Sequence, residues 1–177
     1  MVKALDVAKC FINLFKDEEE GISNLKLQKL LYYAQGFSFQ RTGLPLFDED
    51  MEAWDFGPVV NSVYQEYKSY GRDPIRSRSD ISFSNEIEEL ILDVAREYGQ
   101  YTSGKLVSMT HVKGSPWDQL HESGEFHKII PKEIIKDYFC NCENKLSNFD
   151  VDEYISSIDS FTPTRDNPIT LEDWNCE

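Results

Sequence analysis

Leu25-Lys26-Leu27-Gln28-Lys29-Leu30-Leu31-Tyr32-Tyr33-Ala34-Gln35-Gly36-Phe37-Ser38-Phe39 is the stretch on which the fold turns. Wound as a helix, it places Leu27, Leu30, Leu31, Tyr33, Ala34 and Phe37 on one broad arc. Leu25, Tyr32 and Phe39 form a second line on the far side, with Lys26, Gln28, Lys29 and Gln35 between. A helix apolar on two sides is either central and packed on both, or leaves its second line open to a partner, since contiguous exposed apolar patches mark interaction sites. Gly36 stands on that second line, where the missing side chain lets another element come close. Ser23 is a cap for this helix, which should run from Asn24 to Thr42 and stop at Gly43 and Pro45.

Helical spacing extends outward on both sides. Leu5, Ala8, Ile12 and Phe15 predict a first helix from Ala4 to Lys16, followed by a surface loop through Asp17 to Gly21. After the long helix, Leu44–Phe47 and Met51–Trp54 flank Asp48-Glu49-Asp50 and read as a small hairpin or extended arm laid against helices. Gly57 suits a positive φ and Pro58 the first turn of a third helix, whose inner face is Val59, Val60, Val63, Tyr64 and Tyr67, with Gly71 as its stop. Ile87, Leu90, Ile91, Val94, Ala95 and Tyr98 give a fourth amphipathic helix closed by Gly99. Ser103–Val112 and Pro116–Ser123 read as short helices, the second capped by Ser115 and stopped by Gly124. Pro131 opens a last one with Ile134, Ile135, Tyr138, Phe139 and Cys142 inward. The expectation is a mainly α, single-domain helical bundle with a small arm near residues 44–54. The domain spans 1–148, and 149–177 is an acidic tail, partly ordered or docked.

Composition narrows the functional classes. The net charge is −14, from 32 acids against 18 bases, so non-specific nucleic-acid binding through Lys and Arg is disfavoured and a basic protein partner is better suited. Half of that charge falls after Cys142, where nine acids face only Lys145 and Arg165. That tail reads as a solvated solubility aid or as a docking strip for a basic surface. Arg72, Arg76 and Arg78 make a local basic cluster in a polar loop. Cys10, Cys140, Cys142 and Cys176 read as reduced thiols in a cytoplasmic chain without signal peptide or apolar run of membrane-spanning length. The three histidines, 111, 121 and 127, show no metal-ligand spacing, and phosphate-loop, nucleophile-elbow and dinucleotide words are missing, so no metal or cofactor is expected. His111 beside Ser108, Thr110 and Ser115 is the one catalytic thought the chain allows, against its simpler use as a tie to the next loop. Trp54 and Trp117 are anchors either for the core or for an interface.

Four words appear in order: Lys26-Leu27-Gln28-Lys29-Leu30-Leu31-Tyr32, Pro45-Leu46-Phe47, Ala53-Trp54-Asp55-Phe56-Gly57-Pro58-Val59-Val60, and Leu106–His111 with Pro116-Trp117. Together, across Ile22 to Tyr138, they resemble the Panacea, or SocA-like, antitoxin domain of bacteria and phages. That resemblance implies a non-enzymatic antitoxin whose partner is a protein toxin encoded nearby, commonly on phages and other mobile elements. It implies neutralisation by direct binding, or delivery of the toxin to a ClpXP-type protease. Lys26, Gly57, Pro58, His111, Pro116 and Trp117 are then structural motif residues. Leu25, Tyr32, Phe39, Trp54 and Phe56 are candidates for contacting the partner. The alternative from composition is an acidic phage-borne decoy or regulator that binds a host nucleic-acid enzyme by charge.

Overall fold

A computed structural model of the chain describes residues 1–18, 21–121 and 127–141. The expectations for Gly124, for Cys142 and for the acidic tail 149–177 lie outside these residues. The fold is mainly helical, built on α1 (Ala4–Phe15) and α2 (Asn24–Thr42), then strands β1 (Met51–Trp54) and β2 (Gly57–Val59). There follow α3 (Asn61–Tyr67) with a 3-10 turn (Lys68–Tyr70), α4 (Asn85–Tyr98), α5 (Ser103–Thr110), β3 (Lys128–Ile130) and α6 (Lys132–Asn141).

α2 is the axis. It begins where Ser23 Oγ accepts the Lys26 N–H at 3.3 Å and ends at Gly43, whose φ of 72° permits its N–H to reach the Phe39 carbonyl. α1, α3, α4, α5, α6 and β2 all pack on it. Two of the three residues of its second apolar line are therefore covered: Tyr32 and Phe39 are 1% and 4% exposed. α6 lies across this side, and the Phe139 ring occupies the space that a Cβ on Gly36 would need. Phe139 meets the Tyr32 ring edge-on at 5.3 Å. The reading of Tyr32 and Phe39 as partner-facing residues is thus corrected: an intramolecular helix takes the face, and Gly36 is the gap that admits it.

A helix buried on every side must place its polar side chains against buried backbone, since an unpaired N–H or C=O there costs about 1–3 kcal/mol. α2 does this from Asn24 to Gln35. Gln35 accepts from the N–H groups of Leu46 and Phe47 at 2.9 and 3.2 Å and donates to the Phe47 carbonyl at 3.0 Å. Gln28 accepts from Val60 N–H at 2.9 Å, and the fully buried Lys29 donates to the Pro58 carbonyl at 2.9 Å. Asn24 donates to the Tyr64 carbonyl at 3.2 Å and accepts from Gln28.

These bonds explain where the arm departs from expectation. Leu44–Phe47 forms no hairpin with Met51–Trp54, because Gln35 engages the Leu46 and Phe47 N–H groups. Its strand-like contact is the isolated parallel bridge of Phe47 to Val2. β1 instead turns at Asp55-Phe56 and pairs antiparallel with β2, in the register Glu52 to Val59, Ala53 to Pro58 and Trp54 to Gly57. Gly57, at φ 96°, makes that turn, as its sequence position suggested. Pro58 does not open a helix: it sits in the edge strand β2, where a residue without an N–H is tolerated, and α3 starts only at Asn61. On the other side β1 pairs with β3, giving a three-stranded sheet in the order β2-β1-β3. Met51, Ala53 and Ile130 face the main core; Glu52, Trp54, Val59 and Ile129 share the outer face.

Over the described residues the helix expected from Pro116 is also replaced, and positions 122 and 123 of that expectation lie outside them. Residues 113–120 form turns held by side chains: Ser115 Oγ donates to the Thr110 carbonyl at 2.8 Å and accepts the Asp118 N–H at 3.1 Å. Asp118 Oδ2 in turn accepts the Gly114 N–H at 2.7 Å. Among the described residues no helix is long and apolar enough to cross a membrane.

Candidate functional site

Outside the main core lies a separate cluster made by Trp54, Val59 and Tyr64, with Leu25 and Phe56 half-buried at its rim. It forms because outer-face residues of a two-stranded turn need apolar cover, and α3 and the first turn of α2 supply it. Trp54 meets Tyr64 edge-on at 4.8 Å. Of the five residues the sequence offered for partner contact, the fold brings Leu25, Trp54 and Phe56 together here and sends Tyr32 and Phe39 into the core.

The hairpin tip is tied to the residues 113–121 through one strong contact: the Trp117 indole N–H donates to the Trp54 carbonyl at 2.7 Å. The word Ala53–Val60 and the Pro116-Trp117 word therefore meet at one corner. All three histidines gather around it. His111 and His121 both stack on Trp117, with ring centres 3.6 and 4.2 Å away, and His127 stacks on Trp54 at 4.2 Å, nearly parallel. The two outer imidazoles each meet a carboxylate. His121 Nε2 lies 3.1 Å from Asp55 Oδ1, and His127 Nδ1 lies 3.7 Å from Glu52 Oε2. Glu52 is further occupied by the Trp54 indole N–H at 2.8 Å and Asn61 at 3.1 Å, so it also braces β1 against α3.

Beneath the corner, Gly57 sits directly on Lys29 and Thr110: a Cβ there would lie 2.6 Å from Thr110 Oγ1 and 2.9 Å from Lys29 Nζ. Burial drives the Lys29 amine well below its ordinary pKa. His111 is pushed down to about 3, chiefly by burial, then by the charges of Lys29 and His121. A base of that strength is far from the near-neutral pKa that makes proton transfer efficient. The hydroxyls around it are engaged elsewhere: Ser108 donates to the Gly104 carbonyl, Thr110 to Val107 and Ser115 to Thr110. His111 is thus stacked on Trp117 in the joint beneath the corner.

Lys26 lies away from this corner, 5.1 Å from the centre of the Phe15 ring. Pro116 belongs to the turn that delivers Trp117. The sequence reading gave no role to His121, His127, Glu52 or Asp55. A signal existed only for Asp55, inside the most specific word; the others are joined to it by the β1–β3 pairing and the turn after Trp117. Among the described residues no group of three or more His, Cys, Asp or Glu could hold a metal ion.

A central all-round-buried helix, stapled by its own polar side chains to a small sheet with a ring-lined corner, defines a mainly α domain. The model of the family "Antitoxin SocA-like, Panacea domain" matches residues 27–118, which run from α2 through the hairpin to the Trp117 turn. The chain is also 35% identical over 128 residues to the antitoxin SocA of Caulobacter vibrioides, covering 63% of this chain and 68% of that protein. The chain belongs to the SocA-like Panacea-domain antitoxin family. No solved structure matches it.

Proposed function

We propose that this protein neutralises a cognate protein toxin encoded beside it by binding it directly, and that the Leu25–Trp54–Phe56 corner is part of the contact. The observation that carries the reading is the separate cluster of Trp54, Val59 and Tyr64, with Leu25 and Phe56 half-buried at its edge. Phe56 is a ring held at a half-buried rim and backed by the buried Trp54 and Tyr64, and rigidly held rings dominate association energies because they add apolar area without a large loss of side-chain freedom. The Lys29, Gln28 and Glu52 bonds that hold the hairpin in place keep that corner preorganised. The domain would act by occupying the toxin, or by carrying it to a ClpXP-type protease.

The experiment is growth of cells expressing the neighbouring reading frame with and without this protein, followed by capture of the complex at low and high salt. Arrest relieved through a complex that survives high salt supports neutralisation by an apolar interface. Relief accompanied by disappearance of the toxin supports delivery to a protease. Phe56→Ala, at a half-buried rim position, should weaken capture at least tenfold while leaving the unfolding temperature nearly unchanged, a size typical of a contributing interface ring. No arrest, or no relief, overturns the antitoxin reading. Capture that fades steeply with salt would instead favour the acidic decoy or regulator.

A further inference from the structure

The charge and shape of the corner specify the chemistry of what it accepts, and this inference rests on the corner being the partner site. Its outer elements are flat rings and carboxylates. His127 lies on Trp54 within 4° of parallel and His121 on Trp117 within 21°, so each tryptophan carries an imidazole stacked on it. The His121 and His127 side chains are 23% and 36% exposed. Asp55, at the hairpin tip, is 37% exposed and stands beside His121, while Phe56, the next residue, forms the half-buried apolar rim. The chain as a whole carries a net charge of −14.

We propose that this corner is a seat for an arginine side chain presented by a basic segment of the partner. A guanidinium is planar and weakly hydrated, so it stacks on flat rings, and its paired N–H groups match a carboxylate. The partly exposed His121 ring, backed by Trp117, offers the flat surface, and the Asp55 carboxylate, which already meets His121 Nε2 at 3.1 Å, offers the anion beside it. A lysine ammonium satisfies the charge but not the flat surface, so the geometry selects arginine over lysine. Phe56, the half-buried neighbour of Asp55 at the hairpin tip, then covers the aliphatic part of the arginine stem, which is apolar along its length. The overall negative charge raises the local concentration of such a segment and speeds its encounter.

The test is a titration of the full-length, ¹⁵N-labelled chain with a short arginine–glycine peptide, followed through the indole N–H signals of Trp54 and Trp117. Both indoles are anchored in the corner, to Glu52 and to the Trp54 carbonyl. The expected result is saturable movement of both signals, about tenfold weaker binding by Asp55→Asn, and no weakening by Asp93→Asn, an exposed carboxylate paired with Arg41 elsewhere on the surface. A matched peptide with citrulline in place of arginine keeps the shape without the charge and should move neither signal, which tests the idea on the unmutated protein. Movement by citrulline as large as by arginine, equal weakening by Asp93→Asn, or no movement at all would overturn the proposal. If arginine moves nothing while Phe56→Ala still weakens toxin capture at least tenfold, only the arginine chemistry falls and the corner stands as the interface. If arginine binds but Phe56→Ala leaves capture intact, the seat exists and the corner is not where the toxin sits.

Discussion

Lys29 and His111 are two basic side chains that the fold strips of water, and both are held below their ordinary pKa by burial. For a base whose pKa is lower folded than unfolded, the unfolded chain binds the extra proton throughout the interval between the two values. Stability therefore rises with pH across that interval and is lost on acidification. For His111 the interval runs from about 3 in the folded state to its ordinary value near 6.5. Unfolding in urea should show lower stability at about pH 5 than at about pH 7.5. His111→Phe, which keeps a ring on Trp117 but cannot titrate, should flatten part of that slope. For Lys29 the interval ends near the ordinary lysine value, about 10.4. Wild type should gain stability from about pH 7 to about pH 9.5, and Lys29→Met should gain less. The same change leaves the Pro58 carbonyl without its donor and loosens the hairpin. Superimposable pH curves for wild type and either variant would show that the residue is not held in its neutral form.

At the scale of elements, α2 shows why some of the fold was legible in the sequence and some was not. Its limits, cap and stop could be read because they depend on local chemistry: a serine, a glycine and an uninterrupted helical pattern between them. That it is packed on both sides was one of two readings, and only α6 settles it, through Phe139 entering the space at Gly36. Gly36→Ala should therefore destabilise the protein by about 1–3 kcal/mol, although alanine is ordinarily the better helix former by about 1 kcal/mol. A rise in the unfolding temperature would mean that α6 does not close on α2. The polar gaps in the pattern held more information than the sequence alone could release. Gln35 stands in the sequence as a polar position between two apolar lines, and its three bonds to Leu46 and Phe47 appear only in the fold. Gln35→Leu should cost about 2–4 kcal/mol, since it leaves buried backbone groups unpaired at about 1–3 kcal/mol each. An effect under about 0.5 kcal/mol, measured by denaturant unfolding, would show that water reaches the arm and replaces the glutamine. β3 escaped for a different reason: three residues carry too little periodicity to register, and the strand exists because β1 offers it an edge.

For the candidate site the legible part was the vocabulary of the corner and the hidden part its assembly. Trp54, Phe56 and Leu25 could be named from sequence because they stand in or beside the longest words. Leu25 and Phe39 looked alike on a helical projection, and only the placement of the hairpin at one end of α2 and α6 at the other separates a rim residue from a core residue. The three histidines lie apart in the chain and become one group only when Trp117 donates to the Trp54 carbonyl.

At the scale of the whole molecule the open question is how much of the behaviour belongs to shape and how much to charge. The family match at 27–118 and the corner both lie well before Asn148, whereas the segment after it contributes eight acids and a single base, half of the net −14. If the corner is the interface, truncation after Asn148 should leave the cooperative unfolding of the helical domain in place and keep the dissociation constant for the toxin within about threefold at physiological salt. At low salt it should slow association, because long-range attraction scales with total charge and is screened over about 10 Å at moderate ionic strength. Stopped-flow binding at low and physiological salt separates the two effects, because charge appears in the on-rate and its salt dependence, and contact in the off-rate. An off-rate that rises at least tenfold on truncation would move the main interface into the acidic segment. An unchanged off-rate with a reduced, less salt-sensitive on-rate would assign that segment to attraction and the corner to holding.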